Sequence, residues 1–282
     1  MDHRYGKVRW GKGKPRQRTS SANWKLPLKW NKKLSYRCTS CGTVFPDSEL
    51  EEVLGWECLD CNTVCSPVRP RVFCASLADW LDDEVPIEWL ADLLALIYST
   101  PNLDWLLLTK RPQNWATRMD AASECWHIRD WDVDRLDGWH HRNHPPVNVW
   151  VGTSVEDQKR ADERIPHLLR IPAKIHFASC EPLLGRVNFS ETKAGPYAKG
   201  FLNWVIIGGE SGPKSREFNI MWARNLIGQC KEAGVATFVK QLGSHPTMNR
   251  VQMFGNLILK DRKGGDMSEW PADLRIREFP KV

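Results

Sequence analysis

The 282 residues are 41% hydrophobic and 26% charged, a composition that is ordinary for a globular protein. This length suffices for one barrel-sized domain with a small insertion. No stretch approaches about 18 uninterrupted apolar residues, and the basic N-terminus lacks an apolar h-region, so neither a membrane span nor a secretory signal is expected. We therefore expect a cytoplasmic protein, in which the nine cysteines are thiols or metal ligands rather than disulfides.

The positive charge is concentrated in a basic arm, residues 1–37. The arm holds 12 Lys or Arg and one acidic residue, a net charge of +11, whereas the other 245 residues sum to −5. Such a segment favours a nucleic-acid partner, although a solvated leader is the simpler interpretation. Trp10, Trp24 and Trp30 lie among the positive charges, where they suit base stacking or could pin the arm to the rest of the chain.

The segment 38–65 contains two CxxC pairs, separated by sixteen residues: Cys38 with Cys41, and Cys58 with Cys61. Two such pairs place four thiolates around one tetrahedral Zn²⁺, and we predict a structural role for this zinc-ribbon-like insert. Gly42 suits a tight turn, while Phe45 and Trp56 could supply a small hydrophobic patch. Cys65 is an alternative ligand because its spacing from Cys61 is also plausible. Free thiols, or an iron–sulfur cluster on the same four cysteines, are the other interpretations.

Residues 66–243 contain six apolar, strand-like runs, each followed by polar or charged residues. The runs are Arg71–Cys74, Trp105–Leu108, Val147–Val151, Ile175–Ala178, Trp204–Ile207 and Ala236–Val239. Helical periodicity at 86–98, 157–169 and 221–233 alternates with them, which predicts parallel strands with right-handed crossovers. The expected fold is an α/β protein, a TIM-like (β/α) barrel that is either complete or lacks a strand at its N-terminus.

Two stretches depart from this alternation. Residues 123–146 are rich in Trp, His and Asp and predict an inserted loop or lid, and residues 244–282 form a less regular C-terminal extension. The histidines of the loop, at positions 127, 140, 141 and 144, match no familiar metal-ligand spacing.

Carboxylates and amines stand directly after several of the predicted strands. The C-terminal ends of parallel barrel strands meet in one mouth, where such groups can act as acids, bases or ligand clamps. The predicted catalytic residues are Glu181, Glu210, Lys110 and Lys240. For each of them, a salt bridge that closes the barrel is the structural alternative.

Glycines and hydroxyls at the same strand ends predict a ligand-binding loop. Glycine after a buried strand allows a ligand to approach the backbone, and the exposed amides can hold phosphate or carboxylate. The predicted cofactor-binding residues are Thr153, Ser154, Glu156, Gly208, Gly209 and Ser211. A tight turn that needs glycine for its geometry, or a cap on the following helix at Ser154 and Asp157, is the structural alternative.

Six blocks of the sequence, in order, carry a resemblance to a known family: Val72–Asp79, Leu107–Pro112, Val149–Gln158, Glu181–Gly185, Val205–Gly212 and Phe238–Gln241. They resemble phage- and prophage-associated proteins that look like distant radical-SAM enzymes and carry an N-terminal three-cysteine motif. The resemblance implies a TIM-like barrel in a phage-encoded or bacterial cytoplasmic protein. It also implies S-adenosylmethionine (SAM) and an iron–sulfur cluster, a nucleotide-like or SAM-like ligand at the strand ends, and action on nucleic acid.

The cysteines depart from that family. We expect the sequence to begin at or just after the loop that carries the three-cysteine motif. The CxxC pairs come later and have zinc-ribbon spacing, so the cluster role is not transferred to them. The alternative function is a non-catalytic zinc-ribbon protein that binds nucleic acid through residues 1–37 and retains an inactive barrel.

Overall fold

The computed structural model describes residues 11–46, 57–58, 60–74, 78–193, 202–248 and 257–281. Within these ranges the chain forms a three-stranded antiparallel sheet, a six-stranded parallel sheet and a two-stranded pair. The predictions for Trp10, for Trp56 and for the first ten residues of the basic arm lie outside the described residues.

The elements follow one another in a regular α/β order after the antiparallel sheet. The strands are β1 (Ser35–Cys38), β2 (Val44–Pro46), β3 (Cys65–Val68), β4 (Arg71–Cys74), β5 (Asp104–Thr109), β6 (Val149–Ser154), β7 (Ile175–Cys180), β8 (Trp204–Gly208), β9 (Phe218–Asn219), β10 (Ala236–Gln241) and β11 (Pro246–Thr247). The α-helices are α1 (Ser21–Trp24), α2 (Leu26–Trp30), α3 (Ile87–Tyr98), α4 (Trp115–Ile128), α5 (Val133–His140), α6 (Gln158–Leu168) and α7 (Ile220–Ala233).

All six strands predicted for residues 66–243 are confirmed, and they form one parallel sheet. Strands β4, β5, β6, β7, β8 and β10 pair in chain order, each parallel to its neighbour. Thr109 is paired with Thr153, and Ser154 with Ser179, at the C-terminal ends of β5, β6 and β7. The register therefore brings the polar residues that follow each strand to the same edge of the sheet.

The parallel sheet is curled into a half-barrel. Strands β4 and β7 are three positions apart, about 14 Å between axes in a flat sheet. Yet the ring centroids of Phe73 and Phe177 on these strands are 6.1 Å apart. The guanidinium of Arg71 likewise lies 5.3 Å from the ring centroid of Trp150, two strands away. Within the described residues β4 and β10 do not pair, so a closed TIM-like barrel is not confirmed.

The C-terminal extension covers the outer edge of β10. Val239 N donates a hydrogen bond to Ile276 O (2.8 Å), and Glu278 N donates one to Thr237 O (2.8 Å). These bonds pair β10 with a short antiparallel segment of the extension. The segment occupies the edge of β10 at which a closed barrel would have another strand. The extension thus satisfies the backbone groups of an edge strand, which would otherwise invite pairing with a second chain.

The end of this extension also fills the interior of the half-barrel near the N-terminal ends of its strands. The Phe279 ring packs 5.3 Å from both Trp204 and Phe238, and the Arg71 guanidinium lies 4.1 Å over it. Because Arg71 begins β4 and Phe238 belongs to β10, Phe279 bridges the first and last strands of the sheet. The interior at the N-terminal end of the strands is therefore packed with side chains.

Side-chain alternation along the strands divides the apolar core in two. The concave face carries a cluster of Leu106, Trp150, Phe177, Trp204 and Ile206. The intervening residues face outward and pack against α3, α4, α6 and α7 in the larger core. A parallel sheet covered on both faces explains why each strand reads as a continuous apolar run rather than as an alternating one.

Residues 123–146, predicted as a loop or lid, instead form the end of α4 and all of α5. Trp126 and Trp139 are buried, at 3% and 0% exposure. Their indole nitrogens donate hydrogen bonds to Ala91 O (3.0 Å) and Pro172 O (2.7 Å). The tryptophans thus anchor a helical hairpin to the outside of the half-barrel, a role that their polar neighbours conceal in the sequence.

The described part of the basic arm docks on the half-barrel. The Arg16 guanidinium lies 2.9 Å from Asp82, and the Arg18 guanidinium lies 2.8 Å from Asp92 and 4.1 Å over the Trp24 ring. Trp24 itself packs against the large core. Of the two roles left open for the arm tryptophans, Trp24 takes the anchoring one.

Candidate functional site

The four cysteines of the two CxxC pairs converge beside the antiparallel sheet. Cys38 Sγ is 3.4 Å from Cys61 Sγ, and Cys41 Sγ is 3.6 Å from Cys58 Sγ. All four sulfurs lie within 4.8 Å of one another. Zinc–sulfur bonds of about 2.3 Å in a tetrahedron put the sulfurs about 3.8 Å apart. The donor set therefore fits a single ion such as zinc.

The two CxxC pairs adopt matching turns. Gly42 N donates to Cys38 O (3.2 Å), and Asn62 N donates to Cys58 O (2.8 Å). Gly42 has a φ of 77° and Asn62 a φ of 55°, so both lie in the left-handed region that favours glycine and asparagine. The turn predicted at Gly42 is present, and Asn62 supplies its counterpart in the second pair.

Cys65, the alternative fourth ligand, lies outside the group of four. It stands opposite Cys38 in the pairing of β1 with β3. Its side chain is buried in a small cluster that also contains Phe45 and Tyr36. Cys61 therefore completes the donor set, and Cys65 belongs to the hydrophobic patch beside it.

The cysteine geometry does not fit a multi-iron cluster. Such a cluster places several irons and sulfides between the thiolates, which would hold the sulfurs farther apart. Among the described residues, the other group close enough to hold an ion consists of Asp120, His140 and His141, which contains no cysteine. Within the described part of the chain the four cysteines are thus the thiolate group close enough to hold a metal, and the iron–sulfur cluster implied by the family resemblance remains a prediction.

A charged rim closes the concave face at the C-terminal ends of the parallel strands. Lys240 Nζ lies 2.9 Å from Glu181 Oε2, and Lys110 Nζ lies 3.5 Å from Glu156 Oε1. We call this group, together with Gly208, the barrel mouth. It joins predicted site residues from the ends of β5, β6, β7, β8 and β10.

Glu181 carries a largely buried carboxylate, one of whose oxygens has no hydrogen-bond partner among the described residues. Its side chain is 17% exposed, and Oε2 accepts the hydrogen bond from Lys240. Oε1 is buried and has no hydrogen-bond partner among the described residues. Burial raises the pKa of Glu181 above its usual value of 4.5, and the nearby Lys240 ammonium opposes this shift. The mouth thus contains a buried acceptor that no described group satisfies.

Gly208 makes room for this carboxylate. A Cβ atom at position 208 would lie 3.2 Å from Glu181 Cγ and 3.5 Å from Oε1. Strand β8 lies between β7 and β10, and Gly208 is its last residue. The ion pair of Glu181 with Lys240 therefore crosses over the end of β8. The glycine therefore adds no side chain beside the unpartnered oxygen, which is itself buried.

The loop after β8 is held by its own contacts. Gly209 N donates to Gln241 O (2.9 Å), and a Cβ at Gly209 would lie only 2.2 Å from Leu242 O. Glu210 accepts from Arg216 Nε (2.9 Å) and Arg216 N (3.1 Å). Ser211 is partly exposed in the same loop. Gly209 therefore serves a tight approach of two backbone segments, and Glu210 takes part in a salt bridge, which are the structural alternatives for these two residues.

The candidates at the end of β6 and just after it divide between the two faces of the sheet. Thr153 is fully buried, and its hydroxyl donates to Thr109 O (2.9 Å). Ser154, two residues from the inward-facing Gly152, belongs to the concave side and is 2% exposed. Asp157 caps α6 by accepting from Arg160 N (2.9 Å). The contacts of Thr153 and Asp157 are therefore structural, whereas Ser154 lies on the face that ends in the mouth.

Two arginines that the sequence did not single out hold the rim carboxylates. Arg164 Nη1 lies 2.7 Å from Glu156 Oε2 and also donates to Ser154 O (2.7 Å), and Arg216 holds Glu210. Arg164 is three residues after the buried Ala161 and four before the buried Leu168. This helical spacing, which places the arginine on the face that meets the sheet, was the signal that could have identified it.

These features define an α/β half-barrel protein with a four-cysteine centre and a charged mouth at the ends of its parallel strands. Residues 1–264 match the model of a family described as "Protein of unknown function (DUF5131)", and the chain belongs to this family. No curated protein and no solved structure matches it. In the described ranges, every helix is too short or too polar to cross a bilayer. The phage association and the radical-SAM likeness remain predictions.

Proposed function

We propose that the half-barrel binds a nucleotide-like or SAM-like small molecule in its mouth. The observation that carries this proposal is Glu181 Oε1, a buried acceptor that has no partner in the described structure and lies beside Gly208, which adds no side chain there. Leaving a buried polar atom unsatisfied costs about 1–3 kcal/mol. An amine or hydroxyl donor on a ligand would recover that energy, so the site favours a ligand that donates at this point.

The surrounding charges favour an anionic group on the same ligand. The three rim carboxylates face four cations: Lys110, Arg164, Arg216 and Lys240. The Lys110 and Lys240 side chains are 57% and 55% exposed, so their ammonium groups can also reach a ligand. A molecule with ribose hydroxyls or an amine at one end and a phosphate or carboxylate at the other would match this arrangement.

The proposed chemistry of the mouth is proton transfer at Glu181. A carboxyl group whose pKa is raised by burial is a better proton acceptor than an exposed one when ionised, and a usable donor when protonated. Lys240 holds Oε2 and so orients Oε1 toward the ligand. SAM, if bound here, would supply an electrophilic methyl group. A radical reaction is not part of the proposal.

We expect SAM or an adenine nucleotide to raise the melting temperature of the wild-type protein, and Glu181→Gln to weaken that ligand about tenfold or more. The reason is that a hydrogen bond to a charged acceptor contributes about 1.5–3 kcal/mol. Differential scanning fluorimetry followed by isothermal titration calorimetry with SAM, ATP and adenosine measures both effects. Glu163→Gln, on the exposed face of α6, is the matched control and should bind as wild type. Equal affinity in the two variants, or no stabilisation by any of these ligands, would contradict the proposal.

A second candidate function, binding of single-stranded nucleic acid, is favoured by the exposed side of the basic arm. Arg16 and Arg18 are engaged in ion pairs with the half-barrel, but Lys25, Lys29, Lys32 and Lys33 are exposed around α1 and α2. Trp30, among these lysines, is 39% exposed. Cations beside an accessible aromatic face suit phosphates and a stacked base. In this function the four-cysteine centre would hold a structural Zn²⁺.

Substituting the four exposed arm lysines by glutamine should weaken single-stranded DNA binding at least about tenfold at about 0.1 M salt, because neutralisation of phosphates dominates such affinity. The slope of log affinity against log salt should fall by about 0.7 for each phosphate that the variant arm no longer neutralises. Fluorescence anisotropy of a labelled oligonucleotide across a salt series measures both quantities. The control carries glutamine at four other exposed lysines: Lys159, Lys231, Lys260 and Lys263. If the control loses as much affinity as the arm variant, the arm is not the binding surface.

A further inference from the structure

A second group of potential metal ligands lies on the hairpin of α4 and α5, apart from both the cysteine centre and the barrel mouth. It consists of Asp120 on α4, His140 at the end of α5 and His141 after it. One ligand atom from each lies within 4.8 Å of the others. His140 Nε2 is 2.9 Å from Asp120 Oδ1, and His141 Nε2 is 3.9 Å from the same oxygen.

The His140 ring is fixed before any ion binds. Its side chain is 9% exposed, and the ring lies edge-on to Trp115, with centroids 5.8 Å apart. Nδ1 is buried without a hydrogen-bond partner in the described structure, so no contact on that side dictates which ring nitrogen carries the proton. Packing therefore directs Nε2 toward Asp120, while the ring can adopt the tautomer with a free Nε2 lone pair, which a metal requires.

The ligand distances suit an ion of the zinc type. Metal–nitrogen and metal–oxygen bonds of about 2.0–2.2 Å in a tetrahedron place the ligand atoms about 3.3–3.6 Å apart. The observed separations of 2.9 Å and 3.9 Å lie on either side of this value. Asp120 and His141 are 61% and 58% exposed, so small side-chain rotations can equalise the distances. Two imidazoles and a carboxylate are also a ligand set that such ions prefer.

We propose that Asp120, His140 and His141 bind a divalent transition-metal ion of the zinc type, with water at the remaining position. The site links α4 to α5 and would fasten the hairpin that carries the buried tryptophans. An ion pair of His140 with Asp120 alone would contribute little, because pairs with a largely exposed carboxylate are worth about 0–1 kcal/mol.

The test uses the full-length protein with its cysteine centre already filled with Zn²⁺. After incubation with excess Zn²⁺ and gel filtration, elemental analysis should find one more equivalent of zinc in the wild type than in Asp120→Asn or His141→Gln. Loss of one ligand should weaken that equivalent at least about tenfold. Both substituted side chains are exposed, so folding should be preserved, which circular dichroism verifies. His127→Gln, exposed near the end of α4, is the control and should retain the extra ion.

Cobalt distinguishes this site from the cysteine centre. Co²⁺ added to the zinc-filled protein should give visible absorption without thiolate-to-metal charge transfer, and this signal should be absent from Asp120→Asn. The proposal is overturned if the wild type takes up no more metal than Asp120→Asn. It is equally overturned if the extra equivalent persists when Asp120→Asn and His141→Gln are combined. Neither result depends on ligand binding in the barrel mouth.

Discussion

Replacing Cys61 by serine should release the metal of the cysteine centre and unfold β1, β2 and β3, whereas replacing Cys65 by alanine should leave the metal bound. Cys61 Sγ lies 3.4 Å from Cys38 Sγ inside the group of four, while Cys65 packs beside it without joining it. The hydrophobic core of the antiparallel sheet is small, so a bound ion must supply most of the stability of β1, β2 and β3. Structural zinc sites of this kind contribute about 10–16 kcal/mol of apparent binding energy.

Native mass spectrometry measures the metal content of the two variants, and hydrogen exchange locates the loss of structure. We expect Cys61→Ser to lose amide protection in β1 and β3 but to keep it in the parallel sheet, because the half-barrel has a separate apolar core. Removal of the ion from the wild type with a chelator should reproduce this pattern. Retention of the metal by Cys61→Ser, with its loss from Cys65→Ala, would show that the fourth ligand is misassigned.

Gly152→Ala should destabilise the half-barrel by about 3 kcal/mol, the upper end of the range for overpacking a core. A Cβ at position 152 would lie 2.3–2.4 Å from three atoms of the Phe177 ring. That ring is fully buried and has Phe73 and Trp204 within 6.1 Å and 5.8 Å of its centroid, so it has little space into which to move. Phe177 lies against the backbone of β6 because it is the register partner of Gly152 on the adjacent strand.

Gly228→Ala is the matched control, because the same methyl group is added where no atom lies within 4 Å. Gly228 is inside α7, where alanine is favoured over glycine by about 1 kcal/mol. Chemical denaturation of the two variants should therefore give changes of opposite sign in the free energy of unfolding. A value for Gly152→Ala within about 0.5 kcal/mol of wild type would contradict the close packing of the concave face.

The cysteine centre and the six parallel strands could be predicted because each depends on a local signal. Two CxxC pairs bring their own turns, and a strand buried on both faces reads as an unbroken apolar run. The hairpin at residues 123–146 was missed for the opposite reason. Its polar composition resembles a loop, and only the burial of Trp126 and Trp139 against distant carbonyl groups explains why it is helical.

The candidate site contains a difference that local sequence signals do not reveal. Glu181 and Glu210 look equivalent in the sequence, because each follows a buried strand. In the structure Arg216, only six residues away, binds both oxygens of Glu210. Lys240, 59 residues away, binds one oxygen of Glu181, and the other oxygen has no partner among the described residues. The difference depends on the order of strands around the curl and on the glycine at the end of β8.

The amino-acid sequence by itself determined the six parallel strands, the two CxxC pairs and the edge of the sheet at which polar residues gather, because these follow from spacing and periodicity along the chain. Only the tertiary structure decided that the sheet remains a half-barrel with its C-terminal extension on β10. It also decided which carboxylate keeps an oxygen without a partner among the described residues, and that Asp120 meets two histidines some twenty residues later. Burial, partner choice and closure depend on contacts between residues far apart in the chain, and no local pattern encodes them.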